Sequence, residues 1–179
     1  MKNQRIRVSK TMLEEALMRL LREKRVEKVT VYELCQEADI NRTTFYKYYG
    51  TPRDLLDQVI AEMLAEFERA LAEDFTSRNG THRALAYLAS EQERFRTVIA
   101  NVPEEELLDK VSSLWPIRDT LDEMLSGPMT DSEREYARLF FCQGSYAIIR
   151  KWLQDGCPQR PEELNHMKEQ ALQARDAGK

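Results

Sequence analysis

The chain has 179 residues, of which 42% are hydrophobic and 32% charged, and its formal net charge at pH 7 is −4. That length is enough for one large domain or two smaller ones with a buried core. No apolar run approaches the roughly 20 residues that cross a bilayer, and the N-terminus lacks the apolar segment of a signal peptide, so we expect a cytoplasmic protein without membrane contact. The three cysteines have no Cys-x-x-Cys spacing and there are two histidines, so no disulfide framework, metal or cofactor is predicted.

Charge is distributed unevenly along the chain. Residues 1–53 contain 12 Lys and Arg against 7 Asp and Glu, a net charge of +5, and the remainder contains 15 against 24, a net charge of −9. A basic region can approach nucleic acid phosphates while an acidic remainder is repelled by them. Any contact with nucleic acid is therefore predicted in the first third of the chain.

The first two predicted helices follow from apolar spacing. One spans about residues 9–24, where apolar residues recur at helical intervals. A shorter one begins at Thr30, which forms a capping-box pattern with Glu33, and its apolar residues fall at i, i+3, i+4 and i+7. This helical spacing of apolar residues ends at Asp39, which indicates a turn.

A third helix is predicted to begin at Asn41, whose side chain can cap it. If Phe45 faces the core, a rotation of 100° per residue directs Thr43 and Lys47 outward and leaves Arg42 near the buried side. Hydroxyls and cations on an outward face suit the base edges and phosphates of a DNA groove. The pattern predicts a helix-turn-helix, and the alternative is an ordinary helical hairpin with a polar outer face.

The run V-T-V-Y-E-L-C-Q-E-A-D-I-N-R-T-T-F-Y-K-Y-Y-G-T-P-R-D-L-L, residues 29–56, resembles the DNA-binding signature of the tetracycline-repressor (TetR) family. The resemblance covers residues 5–60. It departs at Tyr48, where the family usually has His, and at Pro52, where a Lys is often found. The resemblance and the outward face together give these predicted DNA contacts: Thr30, Arg42, Thr43, Thr44, Tyr46, Lys47, Tyr48 and Arg53.

A long helix is predicted after the motif. Thr51, Pro52 and Asp54 are typical of a capped helix start, and an apolar stripe then continues as far as Leu71, about five turns or roughly 30 Å. We place a helix-turn-helix DNA-binding domain at residues 1–54, including the start of this helix. A helical regulatory and dimerisation domain follows at residues 55–179.

The second domain is also predicted to be helical, so the expected fold class is all-α. A helix with Thr81 as its cap is predicted over residues 81–102, after a loop at residues 76–80. The next helix is predicted to kink or break at Trp115-Pro116. A last long helix is predicted to be capped by Thr130-Asp131-Ser132-Glu133 and to stop at Gly156. It has small residues beside large aromatics, which is typical of a close helix crossing. No strand pattern or repeat is found.

Residues 140–164, F-F-C-Q-G-S-Y-A-I-I-R-K-W-L-Q-D-G-C-P-Q-R-P-E-E-L, resemble the last two helices of one TetR subgroup. In the family these helices pack against a second copy as a four-helix bundle. Two late amphipathic helices rich in aromatics would also expose too much apolar surface on a monomer. The resemblance implies a homodimer with these interface residues: Phe141, Gly144, Ile148, Trp152, Leu164 and Met167.

The resemblance further implies a pocket for a small-molecule effector in the second domain. A helix broken by proline cannot pack flush against its neighbours, which favours a cleft beside it. Aromatic residues at helical spacing are also ordinary core, and this alternative stays open for each candidate. The candidate pocket residues are Tyr87, Phe95, Trp115, Met124, Phe141 and Tyr146.

We therefore predict a TetR-like transcriptional regulator, a homodimeric repressor that binds a palindromic operator in double-stranded DNA. The alternative is a coactivator or adaptor that keeps this fold and acts through protein contacts. An enzyme is not predicted, and no catalytic residue is assigned. The clusters at residues 104–106 and 162–163 stand in first turns of helices, where carboxylates complement the helix dipole.

Overall fold

The computed structural model of the protein describes residues 2–77 and 82–164, with side chains at residues 4–73 and 82–164. Within these ranges the regular secondary structure consists of α-helices and one short 3-10 helix, so the predicted all-α fold class is confirmed. The chain forms two compact units, Met1–Met63 and Leu64–Lys179. The domain boundary predicted after residue 54 stays a prediction.

The first unit is built from short helices around a small core. Its helices are α1 (Lys2–Leu21), the 3-10 helix (Val26–Lys28), α2 (Val31–Glu37), α3 (Arg42–Phe45) and the beginning of α4 (Pro52–Ser77). Helix α2 contacts both α1 and α3. The largest fully buried side chains of this unit are Leu13, Leu17, Leu34, Phe45, Leu55, Leu56, Val59 and Ile60.

Helix α1 begins earlier than its apolar pattern predicts. It starts at Lys2 instead of near residue 9, so Arg5 and Arg7 are exposed residues of a helix. The prediction depended on apolar periodicity, and the first turns of α1 expose most of their side chains, including Val8. A helix extension without a buried face leaves no such periodicity in the sequence.

The second unit begins with the remainder of α4 and continues through five further helices in the described residues. These are α5 (His82–Ser90), α6 (Gln92–Asn101), α7 (Glu104–Ser112), α8 (Trp115–Met124) and α9 (Asp131–Gln154). Helix α9 contacts α6 and α7. Its start is fixed by a capping box of Thr130 and Glu133, as predicted, and it ends before Gly156, whose φ of +88° is in the left-handed region that favours glycine.

Two helix boundaries differ from the predictions. The helix expected over residues 81–102 is divided into α5 and α6 because Glu91, with φ −105° and ψ 21°, leaves helical geometry. The Ser90 hydroxyl donates to the Tyr87 carbonyl over 2.9 Å, a local bond of the kind that competes with regular helix bonding. The break predicted at Trp115-Pro116 is confirmed but lies slightly earlier, because Pro116 occupies the first turn of α8, where its missing N–H has no cost.

Helix α4 continues to Ser77, so the first residues of the loop predicted at 76–80 are helical. The rest of that loop and the predicted cap Thr81 lie outside the described residues. The second of the two late helices that the resemblance implies is described only over residues 161–164, and Met167 lies outside the described ranges.

Candidate nucleic-acid interface

The start of α2 is fixed by the predicted capping box. The Thr30 hydroxyl accepts from the Glu33 backbone N–H over 3.2 Å, and the Glu33 carboxylate accepts from the Thr30 backbone N–H over 3.1 Å. Lys24 Nζ also donates to Glu33 Oε1 over 2.8 Å. The bond from Lys24 and the bonds from Thr30 lower the pKa of Glu33 to about 2.

The turn between α2 and α3 is a Schellman motif. The Ile40 N–H donates to the Cys35 carbonyl over 2.9 Å, and the Asp39 N–H donates to the Gln36 carbonyl over 3.3 Å. Asp39 has a φ of +53°, in the left-handed region that Asp tolerates better than bulky residues do. Because both bonds close on the last turn of α2, they fix the direction in which α3 leaves it.

The start of α3 is fixed in turn by Asn41. Its Oδ1 atom accepts from the Thr43 N–H over 2.8 Å, which confirms the predicted cap. The α-helix itself is four residues long, but hydrogen-bonded turns continue, since the Tyr48 and Tyr49 N–H groups donate to the Phe45 carbonyl over 2.9 and 3.0 Å. The predicted outward residues therefore lie on about two turns anchored by buried Phe45.

The outward face of this segment carries two cations. Arg42, Thr43 and Lys47 are exposed, Tyr46 is 59% exposed, and Thr44 is half-buried. Within the part of the chain that the structure describes, no carboxylate forms an ion pair with Arg42 or Lys47. Their charges are available to an external anion.

Arg42 differs from the expectation that it lies near the buried side. It is the first residue of α3, and its long side chain carries the guanidinium into solvent. The charge remains close enough to act on buried Cys35: burial raises the pKa of the Cys35 thiol, and Arg42 partly opposes that shift. The exposed guanidinium is thus compatible with the predicted DNA contact.

Two other predicted contacts already have intramolecular partners. The Thr30 hydroxyl takes part in the capping box, and Arg53 Nε donates to Asp57 Oδ1 over 2.9 Å. Helix α4 is capped as predicted, because Asp54 Oδ2 accepts from the Thr51 N–H over 2.9 Å and the Thr51 hydroxyl accepts from the Asp54 N–H over 3.1 Å. A DNA phosphate that binds Thr30 or Arg53 would have to share or displace the hydrogen bonds of these two residues to Glu33 and Asp57.

The sequence reasoning missed one exposed aromatic residue in this unit. Tyr32, the second residue of α2, is 63% exposed. The signal was present in the sequence, because a large aromatic that falls off the apolar spacing of an amphipathic helix must face outward.

We call residues 42–49, which are α3 and the hydrogen-bonded turns that follow it, the α3 segment, and its aromatic residues form a connected row. The Phe45 ring lies 5.5 Å from the Tyr46 ring and 5.7 Å from the Tyr49 ring, and the Tyr49 ring lies 6.3 Å from that of half-buried Tyr48, measured between centroids. These distances are within the range of favourable aromatic pairs. Exposed Tyr46 and half-buried Tyr48 are therefore connected through ring contacts to the buried Phe45.

In the second unit, two of the predicted dimer residues are already covered by the chain itself. Trp152 is 3% exposed and its Nε1 donates to the Gln159 carbonyl over 3.0 Å, and Leu164 is also buried. A second copy would have to open this packing to reach either side chain. Phe141 and Gly144 are half-buried, and Ile148 is exposed.

Other residues of α9 expose an apolar face. Tyr136 is 70% exposed and Phe140 is 68% exposed, and Leu139 and Ile148 are exposed as well. At 100° per residue these four positions and Gly144 fall within about half of the helix circumference. A Cβ atom added to Gly144 would meet nothing within 4 Å, so this position is open inside one chain. We call these five residues the α9 stripe.

The predicted pocket residues are spread over the second unit. Tyr87 and Phe95 form an edge-to-face pair with ring centroids 5.7 Å apart, and Phe95 is buried. Trp115 and Met124 are exposed, and Phe141 and Tyr146 are half-buried. The Tyr87–Phe95 contact is the one ring contact that joins two of the six among the described residues, and the pocket stays a prediction.

Within the described ranges, no group of three or more His, Cys, Asp or Glu residues is arranged to hold a metal ion. None of the helices described is long and apolar enough to cross a membrane.

Comparison with solved structures shows a shared fold. The chain is similar to the dihydroxyacetone kinase operon activator DhaS, with a TM-score of 0.60 and 18% identity over 93% of this chain and 95% of that one. It is also similar to the fatty acid degradation regulator FadR from Bacillus halodurans, with a TM-score of 0.66 and 16% identity over 92% and 94% of the two chains.

Sequence comparison gives the family. The chain is 22% identical over 162 residues to an uncharacterized HTH-type transcriptional regulator, YxbF, from Bacillus subtilis (strain 168). This match covers 86% of the chain but 42% of that relative, so the chain spans less than half of the relative's length. Residues 76–174 match the model of the transcriptional regulator C-terminal region TetR_C_8, which is more than half of the chain. The chain therefore belongs to the TetR family of transcriptional regulators.

Proposed function

We propose that the chain is a repressor that binds a palindromic operator in double-stranded DNA as a homodimer, using one copy of the α2–α3 region for each half-site. The observation that carries this proposal is the outward face of the α3 segment. There two exposed cations and two threonines stand on turns whose direction is fixed by caps on both sides of Asp39. Positioned cations and hydroxyls of this kind bind phosphates and read base edges.

The predicted contacts divide into two roles. We assign Arg42 and Lys47 to phosphates or guanine edges, since both lack an internal carboxylate partner in the described structure. Thr43, Thr44 and Tyr46 supply hydroxyls and apolar surface for base reading. The remaining predicted contacts, which we assign to backbone positioning, are Thr30, Tyr48 and Arg53.

The homodimer proposal rests on the α9 stripe. One chain leaves Tyr136 and Phe140 mostly exposed beside a glycine that has open space around it. A large contiguous apolar patch on a soluble protein marks an interaction site, and a self-complementary patch gives a twofold dimer. The glycine would allow the two copies of α9 to approach closely where they cross.

Repression needs only that the protein occupies an operator that overlaps a promoter. A dimer bound over a promoter excludes polymerase without any further contact, whereas activation needs a productive contact with the polymerase. The structurally similar DhaS is named an operon activator. A transcription measurement must therefore establish whether this chain represses or activates.

The proposal is tested by selecting duplexes from a random-sequence library with the wild-type protein and footprinting the recovered site. We expect a palindromic footprint, two protomers per duplex and less transcript from a promoter that contains the site. Activation of that promoter would refute the repressor assignment while keeping the operator. Failure to enrich any sequence would favour the adaptor alternative, in which the fold acts through protein contacts.

A further inference from the structure

A lysine of α1 lies against the α3 segment. The Nζ atom of Lys10 is 5.7 Å from the centroid of the Tyr48 ring and 5.7 Å from the centroid of the Tyr49 ring. Both distances are within the roughly 6 Å at which an ammonium group is attracted to an aromatic face. Lys10 therefore forms a contact between α1 and the two tyrosines that close the segment.

The two tyrosines differ in how firmly the core holds them. Tyr49 is buried and touches the fully buried Phe45 ring, whereas Tyr48 is half-buried and its ring contacts are with Tyr49 and Lys10. Within the described residues, no hydrogen bond holds the Tyr48 hydroxyl. A phenol whose ring makes one edge-to-face contact with another ring keeps rotational freedom, which must be lost when it binds a ligand.

Carboxylates lie near the Tyr49 ring that the Lys10 ammonium contacts. Burial raises the pKa of Tyr49 to about 12, and the nearby carboxylates of Glu14 and Glu62 contribute to that shift. Its hydroxyl is buried without a hydrogen-bond partner among the described residues. A positive charge over the ring faces offsets this locally negative environment.

We propose that Lys10 is a positioning residue for DNA binding: its ammonium holds the Tyr48 ring so that the phenol hydroxyl is presented to a phosphate of the duplex. This inference rests on the proposed function, in which Tyr48 touches the DNA backbone. It gives α1 a role in recognition although Lys10 itself need not touch the duplex. The expected contribution is that of a partly exposed cation–π contact, about two- to fivefold in affinity.

A direct contact between Lys10 and a phosphate is the competing explanation, and salt dependence separates the two. Each phosphate contact adds about 0.9 to the slope of log affinity against log salt. Loss of a direct contact therefore flattens the slope by about that amount. Loss of a positioning contact weakens binding but leaves the slope close to its wild-type value.

The experiment uses the full chain and a fluorescein-labelled 30-base-pair duplex recovered by selection from a random-sequence library, titrated at several salt concentrations. Lys10→Met keeps the aliphatic stem and removes the charge, Lys10→Arg keeps a cation that also stacks on aromatic rings, and Tyr48→Phe removes the hydroxyl alone. The matched control is Lys110→Met, which removes the same charge from α7 in the second unit.

We expect Lys10→Met to weaken binding about two- to fivefold with an unchanged salt slope, Lys10→Arg to restore it, and Lys110→Met to have no effect. In the Tyr48→Phe background, Lys10→Met should cause no further loss, because no hydroxyl remains to be positioned. In the free protein, the Lys10 side-chain NMR signals should be shifted upfield by the tyrosine rings. Circular dichroism and thermal unfolding establish that each variant is folded.

The proposal is overturned if Lys10→Met binds like the wild type, or if its loss is additive with that of Tyr48→Phe and accompanied by a flatter salt slope. Both results leave the proposed function intact, because the wild type still binds the duplex. If the wild type enriches and binds no duplex, the proposed function fails and the positioning role fails with it. Absence of the upfield shift overturns the contact itself, independently of DNA.

Discussion

Lys47 and Thr43 are both exposed on the α3 segment, but they should contribute differently to DNA binding. We expect Lys47→Ala to weaken binding to every duplex and to flatten the salt slope by about 0.9, because one fewer phosphate is neutralised. We expect Thr43→Ala to change the preference among operator variants by about 1–3 kcal/mol at the affected base pair.

Fluorescence anisotropy against a panel of single-base operator variants measures both effects, with Lys110→Ala as a control for net charge. An unchanged slope for Lys47→Ala would remove Lys47 from the interface. A uniform loss across the panel for Thr43→Ala would argue against base reading by that residue.

Asp39 offers a test of the turn that directs α3. Its φ of +53° is costly for a β-branched residue, so we expect Asp39→Val to lower the free energy of unfolding by about 1–2 kcal/mol. Asp39→Asn and Asp39→Gly should be close to neutral, because Asn and Gly adopt this conformation readily. Urea unfolding monitored by circular dichroism provides the measurement, and equal stability of the Val and Asn variants would contradict the assigned geometry.

Glu33 should make the stability of the first unit sensitive to acid. Its pKa is lowered from 4.5 to about 2 in the folded protein, chiefly by Lys24. A carboxylate with a depressed folded pKa stabilises the fold above its unfolded pKa, and that stabilisation is lost as the pH falls through the folded value. The stability difference between wild type and Glu33→Gln should therefore be constant above pH 4.5 and shrink between pH 4.5 and about 2.

Urea midpoints measured across this pH range test the expectation, and Glu27→Gln serves as a control on the neighbouring 3-10 helix, since Glu27 is an exposed carboxylate there. A pH-independent difference for Glu33→Gln would show that the Lys24 contact does not depress the pKa of this carboxyl group.

A single substitution in helix α9 tests the dimer proposal, because it should change helix stability and dimer association in opposite directions. Inside a single chain, Gly144→Ala meets no neighbouring atom and should stabilise the helix by about 1 kcal/mol. In a dimer that crosses closely at this glycine, the added methyl group should instead weaken association. We expect a higher dimer dissociation constant for Gly144→Ala in sedimentation equilibrium.

Gly127→Ala is the matched control, because a Cβ there also meets nothing within 4 Å but the residue lies between α8 and α9, outside the α9 stripe. Phe140→Glu should give a folded monomer, since a charge on the stripe cannot be desolvated without a partner. A dimer unaffected by both stripe substitutions would place the interface elsewhere.

The predictions from sequence were most accurate where structure is determined locally. The caps at Thr30, Asn41 and Thr130 involve residues two or three positions apart, so the sequence contains the whole interaction. The break between α5 and α6 at Glu91 could not be predicted, because no proline or glycine lies there. The burial of Trp152 could not be predicted either, because an apolar pattern does not distinguish packing within a chain from packing against a second copy.

For the whole molecule, the proposed dimer makes operator spacing a sharp test, because each half-site would be bound by one copy of the α3 segment. Two symmetric segments bind one face of the duplex when the half-site centres are separated by about one helical turn, roughly 34–36 Å, or a multiple of it. Insertion of about five base pairs at the centre of the palindrome turns one half-site to the opposite face. We expect such an insertion to abolish binding of the second protomer.

Substitution of the central base pairs without a change in length is the control for this insertion. Binding that tolerates the insertion would indicate two independent monomers, and it would contradict a dimeric arrangement while leaving DNA binding intact. The stoichiometry of each complex can be read from its mass by light scattering.

The contrast between Trp115 and Trp152 gives the protein two built-in optical reporters. They are the two tryptophans of the chain, and both belong to the second unit. Trp152, buried and bonded through its indole N–H, should emit at shorter wavelength and resist quenching by iodide, whereas exposed Trp115 should emit at longer wavelength and be quenched readily. A Trp115→Phe variant would isolate the buried emitter, whose fluorescence would follow unfolding of the second unit without any added dye.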